Sequence, residues 1–209
     1  MHGPNDRAIP LPMRKGDSTR RAILDHAVKQ ASIMGLDGLS IGALATDLGL
    51  SKSGLFAHFQ SKDTLKADVI DHAATLFLEA VMLPALATPR GLPRIREIFT
   101  RWLDWTKAVG LPGGCLFAAA AAELDDQPGP ARDALVRTQS DWLDALSKAA
   151  EIAVAEGHFG PDVDPDQFAH ELYAAMLGFH HSSRLMRDPM ARDRASRSFE
   201  ALVERASSR

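Results

Sequence analysis

Three features of this chain predict an all-α fold. Ala and Leu dominate an apolar fraction of 45%, and the β-branched runs that strands favour are nearly absent. Apolar residues recur at i, i+3, i+4 and i+7 through one segment after another, the spacing of a buried helix face. Gly and Pro cluster between those segments, where they close helices and shape turns. At 209 residues there is room for one large or two modest domains.

Residues 1–16 hold three Pro, two Gly and scattered charge, the composition of a flexible arm whose Arg14 and Lys15 could touch DNA phosphates. Asp17 or Ser18 is placed to cap a first helix running to about Met34, with Ile23, Ala27, Ala31 and Met34 on one face and Gly35 and Gly38 closing it. Ile41, Leu44, Ala45 and Leu48 make a second helix. Gly49 ends it, because a residue without Cβ readily takes the left-handed exit conformation. Ser51 caps a third helix of about eight residues, too short to stand unless its neighbours brace it through Leu55 and Phe59. Its other face, Ser51, Lys52, Ser53, Gly54, Ala57 and His58, is small, polar and basic. Such a face suits the recognition helix of a helix-turn-helix, which must enter a major groove. Ser61 caps a fourth helix from Lys62, apolar at Leu65, Val69, Ala73, Leu76 and Ala80, until Pro84.

Five more helices are expected. They end near Val109, run from Cys115 to Leu124, end near Glu156, and run from Asp166 to Arg187. The ninth opens with an Asp188 cap and Pro189 at its first position and reaches about Ala206.

A net charge of −3 does not itself suggest nucleic acid, but its distribution does. Residues 1–66 carry nine Lys/Arg against six Asp and no Glu, a balance of +3, which leaves −6 for the remainder. A single Cys excludes an intramolecular disulfide and fits a reducing compartment. The N-terminus lacks the apolar region of a signal peptide, and the longest apolar run, Cys115 to Ala122, is too short for a bilayer. The expectation is a soluble, cytoplasmic protein with no membrane contact.

Residues 18–66 resemble the TetR family of one-component bacterial transcriptional repressors. The resemblance rests on a capped first helix ending in Gly, then Leu39-Ser40-Ile41, Leu44-Ala45, Gly49-Leu50-Ser51-Lys52, Leu55-Phe56, His58-Phe59 and Ser61-Lys62-Asp63. It implies a helix-turn-helix domain over residues 17–66 and a larger helical effector-binding and dimerisation domain over 67–209. Ser40 would then cap the second helix and meet a phosphate. Ser51, Lys52, Ser53 and Gly54 would begin the recognition helix near base edges. Phe56 and His58 would lie along the backbone, and Lys62 beside another phosphate. Lys52 is the leading candidate for base contact, since a Lys donates to guanine O6 and N7; a solvated surface Lys is the alternative. Three positions depart from the family pattern. Phe56 lacks the hydroxyl of the usual Tyr, Gly54 stands where a Thr or similar residue commonly reads the groove, and Gly42 replaces a longer side chain. Readout then leans on shape and phosphates.

The same resemblance implies a cavity between helices five to eight. Trp102, Trp105, Cys115, Phe117, Trp142, Phe168, Met176 and His180 are candidates for its lining, although converging aromatics equally describe a core. The mostly apolar set suits a hydrophobic or aromatic small molecule, with His170, His180 or His181 as polar anchors. Cys115 follows Gly113-Gly114 at a helix start, where the helix dipole would lower its pKa and suit it to redox or electrophile sensing; packing at a tight turn is the other reading. Helices eight and nine, about residues 166–206, are the expected homodimer surface. Phe168, Leu172, Ala175, Met176 and Phe179 offer more apolar area than one intramolecular face needs, and Ala174, Ala175 and Gly178 permit close approach.

The functional expectation is a ligand-responsive repressor. It holds a near-palindromic double-stranded operator as a homodimer and leaves it when a small hydrophobic or electrophilic effector binds, with no cofactor and no metal. A helical adaptor with degraded DNA binding is the first alternative, prompted by Gly42, Gly54 and Phe56. A small helical enzyme using His170, His180, Glu123 and Asp126 is the second, though no phosphate-binding Gly loop, nucleophile elbow or zinc signature accompanies them. Asp162, Asp164 and Asp166 imitate a calcium loop, but Gln167 and Tyr173 occupy its sixth and twelfth positions, so a turn and helix cap explain them better.

Overall fold

The computed structural model describes residues 15–207, and every regular element among them is helical. In order these are α1 (Lys15–Met34), α2 (Ile41–Asp47), α3 (Lys52–Phe56) and α4 (Lys62–Leu86), then α5 (Leu92–Ala108), α6 (Leu116–Leu124), α7 (Pro130–Ala155), α8 (Pro165–Arg184) and α9 (Ala191–Ser207). The arm expected over residues 1–16 lies mostly outside the described residues. Its last two, Lys15 and Gly16, already belong to α1, and Asp17 sits inside the first turn, where its charge suits the helix dipole.

The first three helices and the start of α4 close on one another. Ile23, Ala27 and Val28 of α1, Leu44 of α2, Leu55 of α3, the following Phe59, and Leu65 and Val69 of α4 are all fully buried. Each short helix is held at its start by a hydroxyl. Ser40 Oγ accepts from Ala43 N (3.4 Å), Ser51 Oγ from Gly54 N (3.0 Å) and Ser61 Oγ from Thr64 N (3.1 Å). A cap of this kind contributes about 1 kcal/mol, a large share of what a helix of one or two turns needs. Gly49 takes φ +64°, and Leu50 N returns to Ala45 O (2.8 Å), closing α2 as expected. The third helix is shorter than expected. His58 N and Phe59 N both return to the Leu55 carbonyl, so the ladder ends and Phe59 reaches the core from the turn beyond.

The fourth helix does not stop at Pro84. One π-helical turn, Leu78–Met82, precedes it, with Leu83 N bonded to Leu78 O. The wide turn resets the ladder so that Pro84 falls in the first turn of the segment Leu83–Leu86, where a missing N–H costs nothing. By length and composition Lys62–Leu86 could cross a membrane. Its Leu65, Val69, Ile70, Ala73, Val81 and Ala85 are instead buried against neighbouring helices, chiefly α1, α5 and α7.

Beyond α4 the long helices pack in succession, α7 on α4, α8 on α7 and α9 on α8. Phe99 of α5 stacks on Phe199 of α9 at 4.2 Å. Asp164 caps α8 by accepting from Asp166 N and Gln167 N, the turn-and-cap role expected of it. The eighth helix ends at Arg184, three residues early, and Arg187 turns the chain with φ +50°. Asp188 accepts from Met190 N, but Pro189 and Met190 form a turn and α9 begins only at Ala191. The apolar stripe expected to face a second subunit is spent at home. Phe168, Leu172 and Met176 are buried within the chain, while Ala174, Leu177, Gly178, His181 and Leu185 form the open face of α8.

The loop between α5 and α6 sits directly on α1. Gly113 N donates to Ser32 Oγ (3.1 Å), and a Cβ at Gly113 would overlap the Ser32 carbonyl. Since the obstacle is backbone, Gly113→Ala is expected to destabilise the protein by roughly 1–3 kcal/mol, the usual range for overpacking. Gly16→Ala, with open space around it in a helix, should match the wild type or gain up to about 1 kcal/mol. Thermal melting followed by circular dichroism separates the two; equal melting temperatures would refute the close packing.

Candidate DNA-reading face and effector cavity

The expected DNA-facing residues lie on or beside α3 and at the starts of α2 and α4, and most of them are exposed. Ser40, Ser51, Lys52, Ser53, Phe56 and Lys62 are exposed, and Gly54 and His58 are half-buried. Ser51 Oγ lies 3.1 Å from Ser53 Oγ, so the start of α3 presents paired hydroxyls. Gly42 explains where Lys52 goes. A Cβ there would stand 3.1 Å from Lys52 Cε and 3.7 Å from Ser40 Oγ, so the bare backbone lets the lysine fold back across the start of α2. That places its ammonium, 3.6 Å from the same point, beside the start of α2.

Lys62 is also tied to its own chain: its Nζ donates to the Asp37 carbonyl at 2.7 Å, inside the α1–α2 loop, while the residue stays exposed. Lys66, which sequence reasoning passed over, is buried and meets Asp37 Oδ1 at 2.5 Å. The Lys66 ammonium holds the Asp37 carboxyl below its ordinary pKa, first by hydrogen bonding and then by charge. Glu123 of α6 accepts from Asp37 N (3.0 Å), which joins this loop to the larger half of the molecule.

Between α4, α5, α7 and α8 lies an apolar cavity of about 270 Å³. Of the eight expected lining residues, Trp102, Cys115, Phe117 and Trp142 line it. Four do not. Trp105 stacks behind Phe117 (centroids 5.8 Å) and opens into a second recess with His180, Phe168 packs on Phe159 at the far end of α8, and Met176 is wholly enclosed in the core. The centre of the aromatic wall is Phe77 of α4, absent from the expected set, whose ring meets Trp142 (4.9 Å), Trp105 (5.3 Å) and Phe117 (6.1 Å) edge-on. Leu78 and Met82 of the π turn also line the cavity, as does Tyr173. Tyr173 donates to Gln139 Oε1 at 2.6 Å, and burial pushes its phenol up to about 12. The helical spacing around Phe77 marked it only as one face of a long helix. Nothing local shows that this face meets α7 over a void.

Cys115 overturns the low-pKa expectation. It caps α6, and the Phe117 and Ala118 amides lower its pKa as the dipole argument supposes, but full burial outweighs them and pushes the thiol up to about 11. In the folded protein it is a neutral, cavity-lining group.

A surface recognition helix braced by two others, tied through one long helix to a body with an apolar cavity, defines a one-component transcriptional regulator. The family described as "Bacterial regulatory proteins, tetR family" matches residues 23–69, and "Tetracyclin repressor-like, C-terminal domain" matches residues 91–199, more than half of the chain. The chain belongs to the TetR family: it is a transcriptional regulator with a ligand-binding C-terminal domain, not an enzyme. Among solved structures, a TetR regulator from Chloroflexus aurantiacus is similar at 24% identity and TM-score 0.80, over 92% of this chain and 96% of that one. One from Cytophaga hutchinsonii reaches TM-score 0.83 at 19% identity, over 94% and 98%. AibR, in complex with isovaleryl coenzyme A and operator DNA, gives 0.66 at 22%, over 90% and 97%. Likeness at these identities establishes the fold. No curated protein matches the chain in sequence.

A thiol raised from 9.0 to about 11 carries about 100-fold less thiolate at neutral pH than an ordinary one. Folded protein should therefore be alkylated by iodoacetamide far more slowly than urea-denatured protein at pH 7.5, with a rate that keeps climbing above pH 9. A plateau below pH 8 would contradict a neutral Cys115.

Proposed function

We propose that this protein is a homodimeric repressor that occupies a near-palindromic operator and leaves it when an effector fills the cavity of the larger half. Residues 15–66 serve as the DNA-reading unit and residues 67–207 as the effector and dimerisation unit. The observation that carries the reading is the continuity of α4. Its first residue, Lys62, lies in the DNA-reading unit, and Phe77, Leu78 and Met82, about four to six turns on, wall the cavity. A ligand that presses on that wall moves the far end of the same rod. Release follows if the ligand binds the DNA-incompetent arrangement more tightly than the competent one. AibR, similar in fold, is found in complex with isovaleryl coenzyme A and operator DNA, which supports the binding of both kinds of partner by a chain of this fold.

Ser40, Lys52, Ser51 and Ser53 are the residues that engage the duplex, Lys52 and Ser40 together at the start of α2. One such module reads only a few base pairs, so two are required, set a helical turn apart. The open stripe of α8, from Ala174 and Leu177 through Gly178 to His181 and Leu185, is the surface on which a second copy packs. Small residues let the two helices approach, and Leu185, 72% exposed, is otherwise left in water.

Lys52→Ala is expected to weaken operator binding by ~1–3 kcal/mol and to reduce its dependence on salt, as the loss of a charge at phosphate or base requires. Fluorescence anisotropy on the DNA flanking its own gene measures both, and unchanged curves would remove Lys52 from the interface. Leu177→Glu should give a monomer in sedimentation at micromolar concentration, keep its helical circular dichroism and lose operator affinity by ~100-fold or more as the second half-site is lost. A dimer that survives Leu177→Glu would move the interface elsewhere.

A further inference from the structure

Trp102 and Cys115 line two recesses, not one. On their other side, α5, the α5–α6 loop, the end of α8 and the start of α9 enclose a second space of about 430 Å³. Its chemistry is opposite to that of the aromatic cavity. Lys107, Arg184 and Arg192 stand around it, with His180 deeper in. Arg192 is paired with Asp104, and Asp188, the carboxylate at its rim, is paired with Arg194. Lys107 and Arg184 have no carboxylate partner among the described residues. Two uncompensated positive charges therefore border one recess.

The inner wall is fitted to these groups. Gly114 takes φ +95°, which disfavours a side chain, and a Cβ there would crowd Arg184 Nε at 3.0 Å and His180 Nε2 at 3.1 Å. His180 Nε2 is buried with no hydrogen-bond partner. Such a group costs stability unless something completes it. The aromatic cavity, in contrast, holds one charged lining residue, Asp141, exposed at its edge. An anion at that end would be repelled. The field across the two spaces thus runs one way, negative beyond the α7 edge and positive beyond Trp102.

Resting on the reading of the aromatic cavity as the effector site, we propose that the effector is an amphipathic organic anion. Its apolar body lies between α4 and α7, and its oxyanion head passes Trp102 and Cys115 into the recess of Lys107, Arg184 and His180. The body supplies burial and the head supplies direction, which a uniformly apolar chamber cannot give.

Two fluorescent probes with the same anilinonaphthalene body test this on the full-length protein: 1-anilinonaphthalene-8-sulfonate, an anion, and N-phenyl-1-naphthylamine, which is neutral. Binding is read from tryptophan quenching and probe emission, in wild type and in the double variant Lys107→Gln/Arg184→Gln, which changes only exposed side chains. Both probes should bind once per chain and compete. The double variant should weaken the sulfonate at least tenfold and the neutral probe less than twofold, and inorganic phosphate at matched ionic strength should displace neither. Equal effects on both probes, no effect on the sulfonate, or independent binding of the two overturns the proposal while leaving the cavity as an effector site. Displacement of the sulfonate by phosphate alone would make the recess a free-anion site and overturn it too. Failure of both probes to quench any tryptophan would instead strike the cavity reading itself.

Discussion

Neither half of this protein can be arranged without α4, because α4 is part of both cores. Leu65 and Val69 complete the core under α1–α3, while Val81 and Ala85 are buried beside α5. Between them the helix is pinned laterally, to α1 by Arg20–Asp68 and Asp25–His72 (2.6 Å each) and to α7 by Asp71–Arg137 (2.7 Å). Partly exposed pairs of this kind contribute little stability singly. The π turn Leu78–Met82 lies where this rod meets the cavity, and such turns are places where a helix can change register.

A second grip holds the DNA-reading half, and Asp37 is its centre. The carboxylate of Asp37 meets Lys66, its carbonyl accepts from Lys62, and its amide donates to Glu123. Lys66 is 7% exposed, so its charge tolerates burial only because that carboxylate is in place. With Gly113 seated on Ser32, the α1–α2 side of the tripod is fastened to α6 and the loop before it. The tripod is thus carried at two points, a rod and a clasp. The loop that bears Gly113 also bears Gly114, which borders the second recess, and Cys115, which borders both. Whatever occupies those recesses lies one or two residues from the clasp.

Much of this was legible in the residues. The Ser40, Ser51 and Ser61 caps and the Gly49 exit follow from local rules, because each depends on groups within five residues of one another. The hydrogen bond from Lys62 to the Asp37 carbonyl was not legible, because the two lie 25 positions apart. The end of α4 was misjudged because Pro84 is a helix stop only when the ladder before it is regular, and a π turn makes it otherwise. Half of the residues expected from their type to line the cavity do so, namely Trp102, Cys115, Phe117 and Trp142. Phe77 and Tyr173 were not among those expected, because a buried aromatic on a helix looks the same whether it faces a packed neighbour or a void.

The sequence by itself determined the helices, their order and the family, since these rest on short-range spacing and side-chain chemistry. Only the tertiary structure decided the charge state of Cys115. A dipole at a helix start is a local property that lowers a thiol's pKa, whereas burial from every side is a global one that raises it further. It likewise decided that α8 buries Phe168, Leu172 and Met176 at home and leaves Ala174, Leu177 and Gly178 open. Periodicity defines a helix's faces, but which face meets which neighbour depends on helices far along the chain.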